Sequence, residues 1–277
     1  MKKQIVTACA LIASVAAFAT SVESSNTFGV LKIASTATAE KSAQLIIPVP
    51  WENVGTASGV IDPTAYVLTT NRKKDDTLFY YDTQQKAYKV WSMSADGSSS
   101  GVWTAQDSYN ISDKALSTIT ADGTFARGKA VILQLVKGST EPVYISGQYS
   151  SNLCKVAITG PAASAHAWWV VYNLIAPSSA SAVSLSDVQF FADENCLQEV
   201  GVNDIVGDKI VKADGTTYYC EAGDNSSIKW VYYAPGTPGT VSIPIGTTEN
   251  VKLNAGEGAW YVRAVHKNGA QTIYVKW

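Results

Sequence analysis

Side chains that could carry acid–base or nucleophilic chemistry are few in this 277-residue chain. Its two histidines, His166 and His266, are 100 positions apart, far from the spacing of paired metal ligands. No stretch resembles the nucleophile elbow of a serine hydrolase or the acidic loop of a calcium site. No helical pattern follows the glycines of Gly256-x-Gly258, so they are not a nucleotide-binding loop. We therefore predict that the protein is not an enzyme and has no catalytic residues, metal site or cofactor.

Two pairs of aspartates share one spacing, Asp76 with Asp82 and Asp208 with Asp214, six residues apart in each pair. A glycosidase needs two carboxylates about 5 to 10 Å apart across a cleft. Six residues along an extended strand span about 20 Å, so each pair marks the two ends of one strand. We expect these aspartates to start or end hairpins through local backbone hydrogen bonds, and Asp214-Gly215 is itself a hairpin signal.

The chain begins with a predicted secretory signal peptide, residues 1–19. Lys2 and Lys3 precede a largely apolar run that ends in Ala-Phe-Ala, a small-residue cleavage site, so the mature chain is expected to start at Thr20. No later segment is long and apolar enough to predict a membrane-spanning helix. These features predict a protein that is secreted or held on the bacterial cell surface.

The charge balance argues against nucleic acid as a partner. The formal net charge of −2 becomes −4 when Lys2 and Lys3 are removed with the signal peptide. Binding to nucleic acid requires a clustered positive surface. The basic run at 72–74 is followed at once by Asp75 and Asp76, and we interpret it as a solvated turn.

Three cysteines follow the predicted signal peptide, Cys154, Cys196 and Cys220. An exported location permits a disulfide. Because the number of cysteines is odd, one of them would remain a thiol or would form a disulfide with another molecule. We predict a bridge between Cys196 and Cys220, which flank the segment that begins at Gly207. The spacing of the three fits no zinc site.

The chain repeats itself once. Asp76 and Asp208 are 132 positions apart, and Trp103 and Trp230 are 127 positions apart, each within similar short runs. Three further matches pair 45–50 with 173–177, 127–133 with 255–262, and 143–145 with 273–275. Because the five matches keep one order and nearly one offset, we predict an internal duplication of a module of about 125 residues, an ordinary domain length.

Short runs rich in Val, Ile, Tyr and Thr, punctuated by Gly, Asp, Asn and Ser, predict an all-β protein. We expect two tandem β-sandwich or barrel-like domains, residues 20–150 and 151–277, with a linker at 149–159. The unbroken apolar run at 167–172 indicates a central strand buried on both faces. We expect one or two turns of helix at residues 184–191.

Eight tryptophans and fourteen tyrosines are the richest feature of the composition. Most aromatic residues of β domains are core residues, because they dominate the buried apolar area. Trp103 and Trp230 occupy matching places in the two copies, which indicates a structural role. The tryptophans without a counterpart are the candidates for stacking on a ligand: Trp51, Trp91, Trp168, Trp169, Trp260 and Trp277, together with Tyr80, Tyr81, Tyr218, Tyr219, Tyr232 and Tyr233.

The order Gly-Asp-Lys-Ile at 207–210, then Trp230, then Gly-x-Gly-x-Trp at 256–260 resembles a module of exported bacterial β-rich proteins of unknown function. The start of the mature chain at 23–31 is similar to the start of some of them. The first copy departs from the module, with Asp-Asp at 75–76 in place of Gly-Asp. The resemblance implies an exported β-rich protein with an internal duplication, and it implies no activity.

Export, duplication and sparse charge favour a non-enzymatic extracellular or cell-surface protein with a structural or adhesive role. Charged residues make up 16% of the chain, against about 25% in typical globular proteins. Edge strands with few charges are open to pairing with a second copy, so self-association is expected. The alternative is a carbohydrate-binding module that contacts extracellular glycan through the unmatched tryptophans. A secreted hydrolase is the third hypothesis, and it requires a cleft that holds carboxylates or a histidine.

Overall fold

The computed structural model describes residues 28–49, 67–82, 87–97, 101–106, 128–148, 154–177, 181–233 and 251–277. The predicted signal peptide and Trp51 lie outside these residues. Regular structure within them is almost entirely β, which confirms the all-β prediction.

The strands are short and are spread along both halves of the described chain. The first half contains β1 (Phe28–Ile33), β2 (Ala43–Pro48), β3 (Thr77–Asp82), β4 (Ala87–Met93), β5 (Trp103–Ala105), β6 (Ala130–Leu135) and β7 (Val143–Gln148). The second half contains β8 (Lys155–Thr159), β9 (Val171–Ile175), β10 (Val183–Ser184), β11 (Gln189–Phe191), a one-turn helix α1 (Val202–Ile205), β12 (Lys209–Lys212), β13 (Thr217–Ala222), a 3₁₀ turn (Asp224–Ser226), β14 (Ile228–Tyr233), β15 (Lys252–Leu253), β16 (Ala259–Arg263) and β17 (Thr272–Lys276).

Two five-stranded antiparallel sheets dominate the fold, and they have the same connectivity. The N-terminal sheet has the order β2-β6-β3-β4-β5, and the C-terminal sheet has the order β9-β16-β12-β13-β14. Counted along the chain within each sheet, both orders are 1-5-2-3-4. A smaller sheet accompanies each: β7 pairs with β1 in the first half, and β17 pairs with β8 and β11 in the second. β10 and β15 form a separate short pair.

Alternation of side chains gives each five-stranded sheet two apolar faces. In β2, Leu45 and Ile47 enter the core of the first half, whereas Ile46 between them faces the opposite side. The core of the second half is built in the same way around residues such as Ile210 and Tyr261, both fully buried. Strands with two apolar faces need a covering layer on each side.

A third apolar cluster supplies that covering layer, because it joins the outer faces of the two sheets. It contains Ile46, Ala130, Ile132, Leu174 and Ala176, with Phe79 and Trp260 packed against it. A Cβ added at Gly258 would lie 2.7 Å from the Cβ of Ala130, so glycine permits the close approach of the two sheets. The amide of Gly258 donates to the carbonyl of Ile46 across this junction (2.8 Å).

Two local expectations differ from the structure. Part of the predicted linker, residues 155–159, is strand β8, which pairs along its whole length with β17. The domain boundary itself stays a prediction. Residues 184–191 contain the last residue of β10, a turn and the whole of β11 instead of a helix. The α-helix of the described residues, α1, has four residues, too few for any hydrophobic period to mark it in the sequence.

A lysine at the junction of the two sheets gives a pH-dependent prediction. Lys129 donates from Nζ to the carbonyl of Ala157 (2.9 Å) and forms a β-bridge with Ile175. Burial lowers the pKa of its ammonium group to about 8, while the neighbouring Cys154 acts in the opposite direction. The unfolded chain therefore binds more protons than the folded protein between about pH 8 and the ordinary pKa of 10.5, and this lysine destabilises the fold most below pH 8.

We expect the Lys129→Met variant to be more stable than the wild type at pH 7, because it removes a half-buried charge that the surrounding protein desolvates. The advantage should shrink as the pH rises from 8 to 10.5, where the wild-type lysine loses its proton in both states. Urea unfolding of both proteins at pH 7 and pH 10 measures the change, and comparison within each pH cancels the other titrating groups. A variant that is less stable at pH 7 would contradict the prediction.

Candidate functional site

A dense set of polar side chains surrounds Asp208, which lies just before β12. The Asp208 side chain is fully buried. Its Oδ2 accepts hydrogen bonds from the Tyr261 hydroxyl (2.8 Å) and from Arg263 Nη1 (2.6 Å). Its Oδ1 accepts from the amide of Ala264 and lies 2.8 Å from His266 Nε2. A buried carboxylate is tolerated when it is paired and fully hydrogen-bonded, and each oxygen here has two partners.

Both ring nitrogens of His266 have hydrogen-bond partners inside the protein. Nε2 contacts Asp208, and Nδ1 lies 2.9 Å from the backbone carbonyl of Asn203 in α1. A histidine that serves as a general base must keep one nitrogen free to take a proton from a nucleophile. This histidine therefore fastens α1 to the Asp208 cluster and has no nitrogen left for a serine or cysteine.

Two further groups beside Asp208 are held in their neutral forms. Burial, with a smaller contribution from the Asp208 carboxylate, raises the pKa of the Cys220 thiol to about 12. The same two causes raise the pKa of the Tyr261 hydroxyl well above its ordinary value. A thiolate is the nucleophilic form of cysteine, so Cys220 is unreactive at neutral pH.

Asp76 occupies the corresponding position before β3, and it is also fully buried. Its Oδ1 accepts from the amide of Val136, and its Oδ2 accepts from the Ser139 hydroxyl (2.7 Å) and lies 3.5 Å from Arg72 Nη1. The prediction of a solvated turn at 72–74 is thus wrong for Arg72, which is 1% exposed. Arg72 is buried because its guanidinium also donates to the carbonyls of Glu141 and Pro142.

The candidate stacking tryptophans lie in very different environments. Trp91 is buried in the core of the first half, and Trp260 and Trp277 are half-buried. Trp168 and Trp169 are 75% and 48% exposed. The remaining candidate, Trp51, lies outside the described residues.

The exposed tryptophans belong to a run of exposed apolar residues that we call the aromatic surface, defined as Trp168, Trp169, Val170 and Tyr172. The His166 ring stacks on Trp168 with centroids 5.4 Å apart, and Trp169 meets Trp168 edge to face at 5.9 Å. Tyr172 packs edge to face against Trp260, also at 5.9 Å. Each of these exposed rings thus packs against another ring while part of it faces solvent.

The local chain explains why these residues are exposed. Residues 161–170 are a loop with tight turns, in which the Ala165 amide donates to Ala162 and the Trp169 amide to His166. β9 begins only at Val171, and it is the last strand of the C-terminal sheet. The prediction of a central strand buried on both faces at 167–172 is therefore wrong. An apolar run cannot reveal whether the fold provides a layer to cover it.

The tyrosine candidates are mostly structural. Tyr80 and Tyr218 are buried, and the Tyr218 hydroxyl donates to the carbonyl of Lys252 (3.2 Å). Tyr219 and Tyr232 are half-buried, and Lys209 Nζ lies 5.1 Å from the centre of the Tyr219 ring. The side chains of Tyr81 and Tyr233 lie outside the described part of the chain.

Among the described residues, none of the three cysteines forms a disulfide bond. Cys154 and Cys220 are buried, and Cys196 is half-buried in the turn that follows β11. The predicted Cys196–Cys220 bridge is not formed in this arrangement, and it stays a prediction.

Comparisons with known proteins assign the chain to no family. No protein-family model matches the chain, and no curated protein or solved structure is similar to it. Within the described ranges, no group of three or more His, Cys, Asp or Glu residues is placed to hold a metal ion. Among the helices of the described segments, none is long and apolar enough to span a membrane.

Proposed function

We propose that the protein is a non-enzymatic, exported protein of the cell surface or extracellular space that adheres through the aromatic surface, first of all to a second copy of itself. The observation that carries the proposal is the cluster of four exposed apolar side chains, three of them aromatic, between Trp168 and Tyr172. Contiguous exposed apolar patches mark interaction sites, since isolated proteins seldom leave them uncovered.

Self-association is favoured by the position of the aromatic surface in the sheet. It continues directly into β9, the last strand of the C-terminal sheet. The end of β9 at Ile175 is bridged to Lys129, whereas Val171 and Tyr172 lie next to the exposed rings. An edge strand with an apolar neighbour and few charges is suited to pair with a strand of another copy.

We further propose that the two sheets arose from one duplicated module and form two tandem β-sandwich or barrel-like domains. The shared 1-5-2-3-4 connectivity supports this proposal. So do Asp76 and Asp208, whose carbonyls accept the amides of Met93 and Cys220 in the adjacent strands. The residue before each aspartate has a positive φ, 68° at Asp75 and 101° at Gly207. A scaffold duplicated without added chemistry is consistent with a structural or adhesive role.

The test is size-exclusion chromatography with light scattering on the mature chain from Thr20. We expect the wild type to form species that grow with concentration and survive reductant, and the Trp168→Ser/Trp169→Ser variant to remain smaller. Leu197→Ser is the matched control, because Leu197 is an exposed apolar residue (84%) outside the aromatic surface. A wild type that stays monomeric at high concentration would count against the proposal, and so would equal effects of both changes.

Carbohydrate binding is the second candidate function, favoured by the presentation of the Trp168 ring. This ring is 75% exposed and is held by parallel stacking on His166, with an interplanar angle of 11°. A flat, fixed and solvent-facing indole is the kind of surface on which a pyranose ring stacks. A glycan array probed with the wild type and with the Trp168→Ser/Trp169→Ser variant distinguishes this function, because only a glycan ligand would give array signals that the variant loses.

A further inference from the structure

The ring of His266 lies between two hydrogen-bond acceptors. Nε2 is 2.8 Å from Oδ1 of Asp208, and Nδ1 is 2.9 Å from the backbone carbonyl oxygen of Asn203. A neutral imidazole has one N–H donor, whereas the imidazolium ion has two. Both contacts are therefore hydrogen bonds only when His266 and Asp208 together hold one proton more than a neutral ring and a carboxylate.

The sheet side of this pair supplies donors and one positive charge. Asp208 accepts through its other oxygen, Oδ2, from Arg263 Nη1 and from the Tyr261 hydroxyl, both on β16. Tyr261 and the Cys220 thiol on β13 stay uncharged, because burial raises the pKa of both groups. The charged groups that face His266 from the sheet are therefore the Asp208 carboxylate and, behind it, the Arg263 guanidinium.

Helix α1 faces the histidine from the other side and contributes one titratable side chain, Asp204. Its two carboxylate oxygens accept the amides of Gly201 and Ala270, both at 2.8 Å. Lys267 follows His266 in the chain, and its side chain is exposed. Both of these charged groups have surroundings of their own, so the two contacts of the ring decide how many protons it needs.

The contact between His266 and Asn203 helps to hold α1 in place. The Arg263 guanidinium also donates to the backbone carbonyl of Asp204 in this helix, and Ile205 is fully buried in the core of the second half. A helix of four residues is not stable by itself, because forming the first turn costs more than one hydrogen bond returns. The position of α1 therefore depends on these contacts.

We propose that the extra proton held between His266 and Asp208 is a pH-sensitive latch for α1. With the proton present, the ring donates to both Asp208 and Asn203 and links the start of β12 to the helix. When the proton leaves to solvent, the one remaining N–H serves a single acceptor, and the bare nitrogen faces the other oxygen. The Asp208–Arg263 ion pair stays, so α1 loosens while the sheet keeps its structure. This latch goes beyond the adhesive function and does not depend on it.

The experiment is an NMR titration of the ¹⁵N-labelled mature wild-type protein from about pH 5 to about pH 9, which reads the ring nitrogens of both histidines. Hydrogen exchange, corrected at each pH for the intrinsic rate, follows the Val206 amide, which donates to Val202 within α1. We expect both nitrogens of His266 to be protonated at the acidic end. Loss of one proton should coincide with a fall of about tenfold or more in Val206 protection, while the amides of β13 keep theirs.

The two histidines provide matched variants. His266→Gln has no ring to titrate, so its Val206 protection should not change with pH. His166, the other histidine of the chain, is exposed, and His166→Gln should leave the wild-type transition unchanged. A bare nitrogen on His266 at every pH, with α1 in place, would overturn the proposal. The same holds if His266 loses its proton without any change in α1, or keeps it throughout the titration.

Discussion

Replacement of Asp208 by alanine is expected to lower the free energy of unfolding by about 3–5 kcal/mol. The carboxylate is fully buried and is the partner of Arg263, Tyr261 and His266. Its removal leaves the Arg263 guanidinium, also fully buried, without its counter-charge. An uncompensated buried charge costs more than the intact pair contributes, so the loss should be large even though a buried ion pair by itself stabilises little.

Asp214→Ala is the matched control, because Asp214 lies at the other end of the same strand and is exposed. Its exposed carboxylate accepts local hydrogen bonds from the amide (2.8 Å) and the side chain of Thr216, so its loss should cost about 1 kcal/mol or less. Urea unfolding monitored by tryptophan fluorescence compares the two variants. If Asp208→Ala does not fold, Asp208→Asn keeps the shape and removes the charge. Similar costs at both positions would show that the Asp208 cluster is not a structural anchor.

Ile46→Asp is expected to cost about 3 kcal/mol or more, because it places a carboxylate in the apolar cluster between the two sheets. Ile46 is 5% exposed, and its carbonyl also accepts the amide of Gly258 from the second half. The damage should therefore reach both sheets. Hydrogen exchange should report lost protection in β9 and β16 as well as in β2.

The control for Ile46→Asp is Gln44→Asp. Gln44 lies two residues earlier on β2, so its side chain is on the same face, but it is exposed. It should change stability by about 0.5 kcal/mol or less. Loss of protection confined to the first half in Ile46→Asp would indicate that the apolar cluster does not couple the two sheets.

The buried polar clusters affect how function is assigned. A histidine, a tyrosine and a cysteine surround the Asp208 carboxylate. Enzymes use all four of these residue types, and their proximity alone would suggest catalysis. Their contacts assign them to the fold, because the His266 nitrogens are both occupied and the pKa of Cys220 is raised to about 12. The proposed functions therefore rest on the exposed rings of Trp168 and Trp169.

Much of the strand pattern could be predicted from the sequence. The Asp214-Gly215 turn joins β12 to β13 as expected, with φ of 87° at the glycine. The runs at 143–145 and 273–275 are strands β7 and β17. These features depend on local preferences, namely β-branched and aromatic runs and turn residues that tolerate positive φ.

The candidate site could be predicted only in part. The unmatched tryptophans include the exposed Trp168 and Trp169 and also the buried Trp91, and their role in stacking on a ligand stays a prediction. Residue type does not separate them, because an indole is equally suited to a core and to an exposed contact. Matching places in the two copies predicted one structural role for Trp103 and Trp230, yet Trp103 is 5% exposed and Trp230 is half-buried. No sequence signal separates the two residues, because their surroundings are formed by distant segments of the chain.

By itself, the sequence determined the β-strand content, the turns and the order in which the matching segments occur, because each depends on neighbours along the chain. Only the tertiary structure decided which charges and rings are covered. Arg72 is buried because the carbonyls of Glu141 and Pro142, about 70 residues away, close over it. Trp168 is exposed because no element of the described chain packs over the loop that carries it. Burial depends on contacts between distant segments, and those contacts exist only once the chain has folded.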